Sequence, residues 1–239
     1  MRIRLLLVIC LIVTMTVSCK DQGMDKEHYS RVNQEIRNIL ISAGEKLNSS
    51  EQAIIITSQE DNPEYVKLYT VEKMDGIWQD KFETIKATIG RNGFADIDMK
   101  KEGDGKTPSG IFKLGLAFGY NKTINSKMPY RQSAENDFWI DDVDSNKYNT
   151  WVHGDTEAKS FERMKRKDHL YKYGVVVEYN TNPVLKGKGS AIFLHVWRAP
   201  GKKTAGCAAM PENDIVKILG WLDPEQEPVV LMGKESSFI

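Results

Sequence analysis

The chain has 239 residues, and its 33 Lys and Arg are balanced by 33 Asp and Glu to a formal net charge of zero at pH 7. That balance excludes a basic footprint of the kind that neutralises a nucleic-acid backbone, so no nucleic-acid partner is expected. Three cysteines are too few for a disulfide framework, and the length suffices for one large or two small domains with a substantial core.

In chain order, Arg2 and Arg4 precede an apolar run from Leu5 to Val17 that ends in small residues, which predicts a secretory signal over residues 1–18. The run is shorter than the roughly 20 residues that span a bilayer. Cys19 directly follows Val17 and Ser18, and this placement resembles a bacterial lipobox, in which the cysteine is acylated and becomes the new N-terminus. A lipid anchor at Cys19 is therefore expected, with plain secretion and cleavage nearby as the alternative. Cys10 lies inside the signal, so Cys207 is the one thiol left in the body of an exported protein. An unpaired thiol in an oxidising compartment is either buried or used.

Residues 20–52 read as a polar leader and an amphipathic helix, with Tyr29, Val32, Ile36, Leu40, Ala43 and Leu47 three or four apart. From residue 53 the pattern turns strand-like. "AIIIT", "YVKLYTVEK" and "GIWQDKFETIKATIG" come first, with Asp75-Gly76 at a hairpin turn. "GIFKL", "DFWI", "YGVVVEY", "SAIFLHVW" and "PVVLM" follow, and short helices are expected at "SFERMKRK" and, after Pro211, at "ENDIVKILGWL". The expected fold class is mainly β with a few helices, an α+β arrangement in which residues 53–239 form one domain.

Two stretches imitate ligand-binding motifs. "EGDGKTPSG" has Gly105-Lys106-Thr107, but Lys100 stands where a phosphate loop needs its first glycine, so a surface turn is expected. "DDVDSNKYNTWVH" begins with calcium-loop spacing, yet Lys147 replaces the loop glycine and His153 the bidentate glutamate. His28, His153, His169 and His195 are too scattered for a zinc motif. No metal or cofactor is expected.

In "SAIFLHVWRAPGKKTAGCAAMPE" alternation places Ala191, Phe193, His195 and Trp197 on one strand face. The turn that follows can return Cys207 to the side of His195, and Gly206 permits a sharp bend before the thiol. A histidine that takes the thiol proton makes a nucleophile, and the N–H groups of Gly206 and Cys207 are candidate oxyanion donors. Thr204, Arg198 and His153 are candidate substrate contacts.

Together, "KTPSGIFKLG" and "GSAIFLHVWRAPGKKTAGCAAMP" resemble the L,D-transpeptidase catalytic-domain family of peptidoglycan-modifying cysteine enzymes. The family signature is a histidine, a turn, then Ser or Thr, any residue, Gly and Cys. Carried over, Cys207 matches the nucleophile, His195 the general base, and Thr204 and Gly206 the residues leading into the nucleophile. Where many members have a second histidine before the Gly-Cys pair, this chain has Ala205, and Ala208, Ala209 and Met210 follow the thiol. The resemblance implies acyl transfer from a tetrapeptide stem through a thioester, with release of terminal D-Ala. Hydrolysis by the same pair, or a non-catalytic peptidoglycan-binding lipoprotein, are the alternatives. It implies peptidoglycan stem peptides as partners, beside the membrane reached through Cys19.

Overall fold

A computed structural model of the chain describes residues 29, 31–47 and 49–238. The expected signal over residues 1–18, the lipid site at Cys19 and His28 lie outside the described residues. Strand accounts for 34% and helix for 14% of the described residues, so the fold is mainly β, as the alternating patterns predict.

The amphipathic segment forms α1 (Gln34–Ala43), started by Asn33, whose Oδ1 accepts the Glu35 N–H at 3.0 Å. Ile36, Ile39, Leu40 and Ala43 face inward. They pack on β1 (Gln52–Ser58), β2 (Val66–Met74) and β13 (Val229–Lys234) through Ala53, Ile55, Val71 and Leu231. The unbroken apolar run of β1 follows from this layering. Its odd-numbered residues meet α1, while Ile54 and Ile56 enter the main core on the opposite face.

β2 turns into β3 (Ile77–Asp80) through Asp75 at φ 52° and Gly76 at φ 78°, the two left-handed residues that a tight hairpin requires. β4 (Ile85–Ala87), β5 (Gly110–Gly119), β6 (Tyr130–Gln132), β10 (Tyr173–Val177), β11 (Phe193–Val196) and β12 (Ala208–Met210) complete a ten-stranded sheet. Its path runs β12-β11-β10-β5-β13-β1-β2-β3, with β4 paired to β2 and β6 to β5. The sheet curls back on itself. Thr88, just past β4, and Ala209 in β12 exchange two backbone hydrogen bonds of 2.8 Å each, joining two edges of the strand path. The main core fills the curl, and α2 (Glu212–Trp221) contributes Ile215, Ile218 and Leu219 to it.

A three-stranded sheet, β8-β7-β9, is made of β7 (Asp137–Ile140), β8 (Trp151–His153) and β9 (Phe161–Arg163). Here the structure corrects the expected helix at "SFERMKRK". Phe161, Glu162 and Arg163 pair with Ile140, Trp139 and Phe138, and the Phe161 ring lies 4.6 Å from that of Phe138. Cross-strand pairing and ring burial outweigh the helix propensity of a charged segment. Between the two sheets Phe118, Trp139, Tyr171, Phe193 and Cys207 form a third apolar cluster.

Candidate active site

The site grows from the parallel pairing of β11 with β12, in which Leu194 lies opposite Ala208 and His195 opposite Ala209. Continuing that register backward sets Cys207 opposite Phe193, so thiol and imidazole belong to one face. Ile192, Leu194 and Val196 face the main core instead. Cys207 and His195 both line a cavity of about 480 Å³, although each is largely closed off from solvent, with exposures of 8% and 5%.

Three threonine-centred contacts shape the turn before the thiol. Thr204 Oγ1 donates to the Cys207 carbonyl at 2.6 Å and accepts the Gly206 N–H at 3.1 Å. From below, Thr107 Oγ1 donates to the Gly206 carbonyl at 2.7 Å while accepting the Gly90 N–H at 2.9 Å. This last contact corrects the reading of "EGDGKTPSG" as a surface turn. Thr107 is wholly buried with distant partners for its hydroxyl, and Lys100 is 4% exposed with its ammonium satisfied by neighbours in its own segment. The Lys100 ammonium donates to Asp104 Oδ1 and to the Lys101 carbonyl, each at 2.7 Å, and Lys100 lines the cavity.

His195 Nδ1 lies 2.7 Å from the Val196 carbonyl. A carbonyl only accepts, so this contact is satisfied by a proton on Nδ1, and the Leu170 carbonyl is a second backbone partner of the ring. The Tyr171 ring stands edge-on to the imidazole at 5.2 Å, and Arg166 lies over Tyr171 at 5.1 Å. Arg166 forms a forked pair with Asp168 at 2.9 and 3.0 Å and reaches Glu162 at 3.1 Å. Burial lowers the His195 pKa to about 4, against the pull of the Val196 carbonyl, and the Arg166 charge adds to the lowering. Burial likewise pushes the Cys207 thiol up to about 12, opposed by the Phe193 N–H at the sulfur. Between those values the pair rests as neutral thiol and neutral imidazole, not as an ion pair. The thiol donates to the Ala191 carbonyl at 3.2 Å.

Of the expected site residues, Cys207, His195, Thr204, Gly206 and Arg198 surround one cavity. Thr204 uses its hydroxyl inside the turn, and the Gly206 N–H is engaged by it, so neither group is turned toward a ligand. Both residues line the cavity, and with the Gly206 N–H engaged inside the turn the Cys207 N–H is the candidate oxyanion donor. Arg198 is exposed and 3.9 Å from Asp168. His153 lies apart from these residues. It is not among the cavity's lining residues, because its Nδ1 is held 2.9 Å from the buried Asp137 carboxylate at the edge of β8. The sequence reading missed Glu102, Asp141, Glu162 and Arg166, which line the cavity. Glu162 follows directly from the strand mistaken for a helix. For Asp141, burial raises the carboxyl pKa, and burial does the same for Glu162.

A model of the L,D-transpeptidase catalytic domain (YkuD) matches residues 61–231. The chain belongs to the L,D-transpeptidase catalytic-domain family. The family acts on peptidoglycan stem peptides, which implies a place in the cell envelope. Among solved structures, the helical cell shape determining protein Pgp2 from Campylobacter jejuni is 18% identical. That comparison has a TM-score of 0.44 and covers 84% of this chain and 55% of that one, so this chain spans about half the length of Pgp2. No curated protein gives a significant match. Among the described residues no helix is long and apolar enough to cross a membrane.

Proposed function

We propose that this member of the family is a peptidoglycan L,D-transpeptidase. The observation that carries the reading is the convergence of Cys207 and His195 on one cavity, with the imidazole oriented through Nδ1 by the Val196 carbonyl. The cavity's lining adds six cationic side chains, Arg91, Lys100, Arg166, Arg198, Lys202 and Lys203, against three carboxylates. That excess favours the carboxylates of a stem peptide.

In this reading the Cys207 sulfur attacks the carbonyl between the third-position diamino acid and the terminal D-Ala of a tetrapeptide stem. The thiol proton passes to His195 as the sulfur–carbon bond forms, since burial disfavours a standing thiolate. The developing oxyanion meets the Cys207 N–H. The carbon–nitrogen bond then breaks, His195 returns the proton to the departing D-Ala amine, and a thioester remains. An amine of a second stem attacks the thioester and gives its proton to His195, the carbon–sulfur bond breaks as the new amide forms, and His195 returns the proton to the sulfur to regenerate the thiol. The reaction requires no metal or cofactor. Residues 1–18 as an export signal, Cys19 as a lipid site, residues 20–52 as leader and helix, and residues 53–239 as the catalytic domain complete the proposal. It places the protein on the envelope face of a membrane.

The test incubates tetrapeptide muropeptides with the purified protein and with Cys207→Ala, and reads the products by mass. Dimers linked between two diamino acids, formed with loss of D-Ala and absent from the variant, are expected. Tripeptides without dimers would make the protein an L,D-carboxypeptidase. Unchanged substrate with the wild type would point to a binding protein, and turnover by Cys207→Ala would refute the nucleophile.

A further inference from the structure

The Ala191 carbonyl that accepts the Cys207 thiol belongs to a residue at φ 52°. A side chain with a Cβ enters that left-handed region only when its surroundings hold it there. The holding group is Asn149, which is 3% exposed. Its Oδ1 accepts the Ala191 N–H at 3.1 Å and the Trp139 indole N–H at 2.9 Å. Its Nδ2 donates to the carbonyls of Tyr179 at 3.1 Å and Asn180 at 2.8 Å. Both donors and both acceptor positions of the amide are therefore occupied.

Three of these bonds, to Ala191, Tyr179 and Asn180, clasp the two ends of the loop between Asn180 and Ala191, and the fourth ties Asn149 to Trp139. The loop has its own internal closure, since Asn180 Nδ2 donates to the carbonyls of Leu185 and Gly189. It is also tied at Gly189, whose N–H donates to the Tyr148 hydroxyl at 3.1 Å. Asn149 is the link between that closed loop, the aromatic cluster through Trp139, and the one backbone carbonyl that meets the thiol.

We propose that Asn149 is a positioning residue for Cys207: by clasping both ends of the 180–191 loop it fixes Ala191 in its left-handed backbone and aims the Ala191 carbonyl at the sulfur. The thiol is thereby held in one rotamer with its proton directed to Ala191, and that proton reaches His195 only when the hydrogen bond to Ala191 is given up. The catalytic consequence rests on Cys207 being the nucleophile of the proposed function. The clasp itself does not.

The test uses the full chain with Cys10→Ser and Cys19→Ser, which leaves Cys207 as the sole thiol of the three cysteines. The S–H stretching band, read by infrared difference against Cys207→Ser, is expected at the lowered frequency of a donating thiol. In Asn149→Ala it moves to the free-thiol position. Losing a hydrogen bond that stabilises the protonated sulfur lowers the pH midpoint of iodoacetamide alkylation by about one unit, about tenfold in thiolate at a given pH. Turnover falls about tenfold in kcat with KM within about twofold, since a group that orients the nucleophile acts on the chemical step. Ala191→Gly keeps the carbonyl and the clasp, and is expected to keep the bonded band. A wild-type band at the free-thiol position overturns the proposal even if Asn149→Ala fails to fold. So does a folded Asn149→Ala with the wild-type band and alkylation midpoint. A bonded thiol in a protein that turns over no muropeptide would refute acyl transfer and support the clasp.

Discussion

His195 gives this protein an acid-sensitive stability that can be worked out in advance. Its pKa is 6.5 when unperturbed and about 4 in the folded chain, where burial disfavours the charged ring. Between those values the unfolded chain binds a proton that the folded chain refuses, so acid pulls the equilibrium toward unfolding. The stabilisation is fully present above pH 6.5 and is lost as the pH falls toward 4. A gap of about 2.5 units at 1.36 kcal/mol each makes the loss about 3 kcal/mol. Urea unfolding of the wild type and of His195→Gln, followed at several pH values from 7 to 4, isolates this contribution, because the other carboxylates titrate in both proteins. The free-energy difference between the two proteins should shift against the wild type by about 3 kcal/mol across that range. Parallel curves would mean that the imidazole titrates as freely folded as unfolded, and the argument for a neutral resting pair would fail.

The alkaline side should mirror this. With the Cys207 thiol raised from 9.0 to about 12, the folded chain keeps a proton that the unfolded chain releases, so wild-type stability falls relative to Cys207→Ala by about 1 kcal/mol at pH 10. Thr107→Val keeps the side-chain shape but strands the Gly90 N–H and the Gly206 carbonyl. It should cost about 2 kcal/mol in urea unfolding and slow turnover by disturbing the turn before the thiol. Leu40→Ala empties a fully buried site between α1 and the sheet and should cost about 2–5 kcal/mol in thermal or urea unfolding, with KM unchanged. His153→Ala removes a half-exposed partner of Asp137. It should cost less than about 1 kcal/mol and leave muropeptide turnover within about twofold.

What the sequence makes legible follows from where each residue finds its partners. β1, β2 and β13 carry runs or alternations whose partners are the layers they separate, and the Asp75-Gly76 turn and α2 carry local signals, so these elements can be read without the fold. His195 is placed on its strand face by alternation alone, while its pairing with Cys207 needs the family signature to suggest it. The segment from Phe161 fails because nothing local distinguishes it from a charged helix; it becomes a strand when Phe138 and Trp139 pair with it. Thr107 fails for a related reason. Its polar neighbours suggest solvent, yet it meets Gly206 across 99 positions of chain. Asn149 sits in a polar stretch whose spacing resembles a calcium loop, and only the return of residues 179–191 reveals its four partners. Where a side chain is satisfied at long range, composition points the wrong way.

The order of the strands also bears on how the chain assembles. β1 lies between β2 and β13, and its residue Ala53 is in register with Val229. The middle of the large sheet therefore depends on a pairing between residues 176 positions apart, Ala53 with Val229. Pairing of this sequence separation carries a high loop-closure cost and slows folding. Along the strand path β13 joins the half built around β2 to the half built around β5 and β10, so removing it should leave β1 and β5 with open edges. The Thr88–Ala209 tie that seats the thiol segment also spans 121 positions. The segment that carries the thiol is thus seated by a contact of the long sequence separation that slows folding.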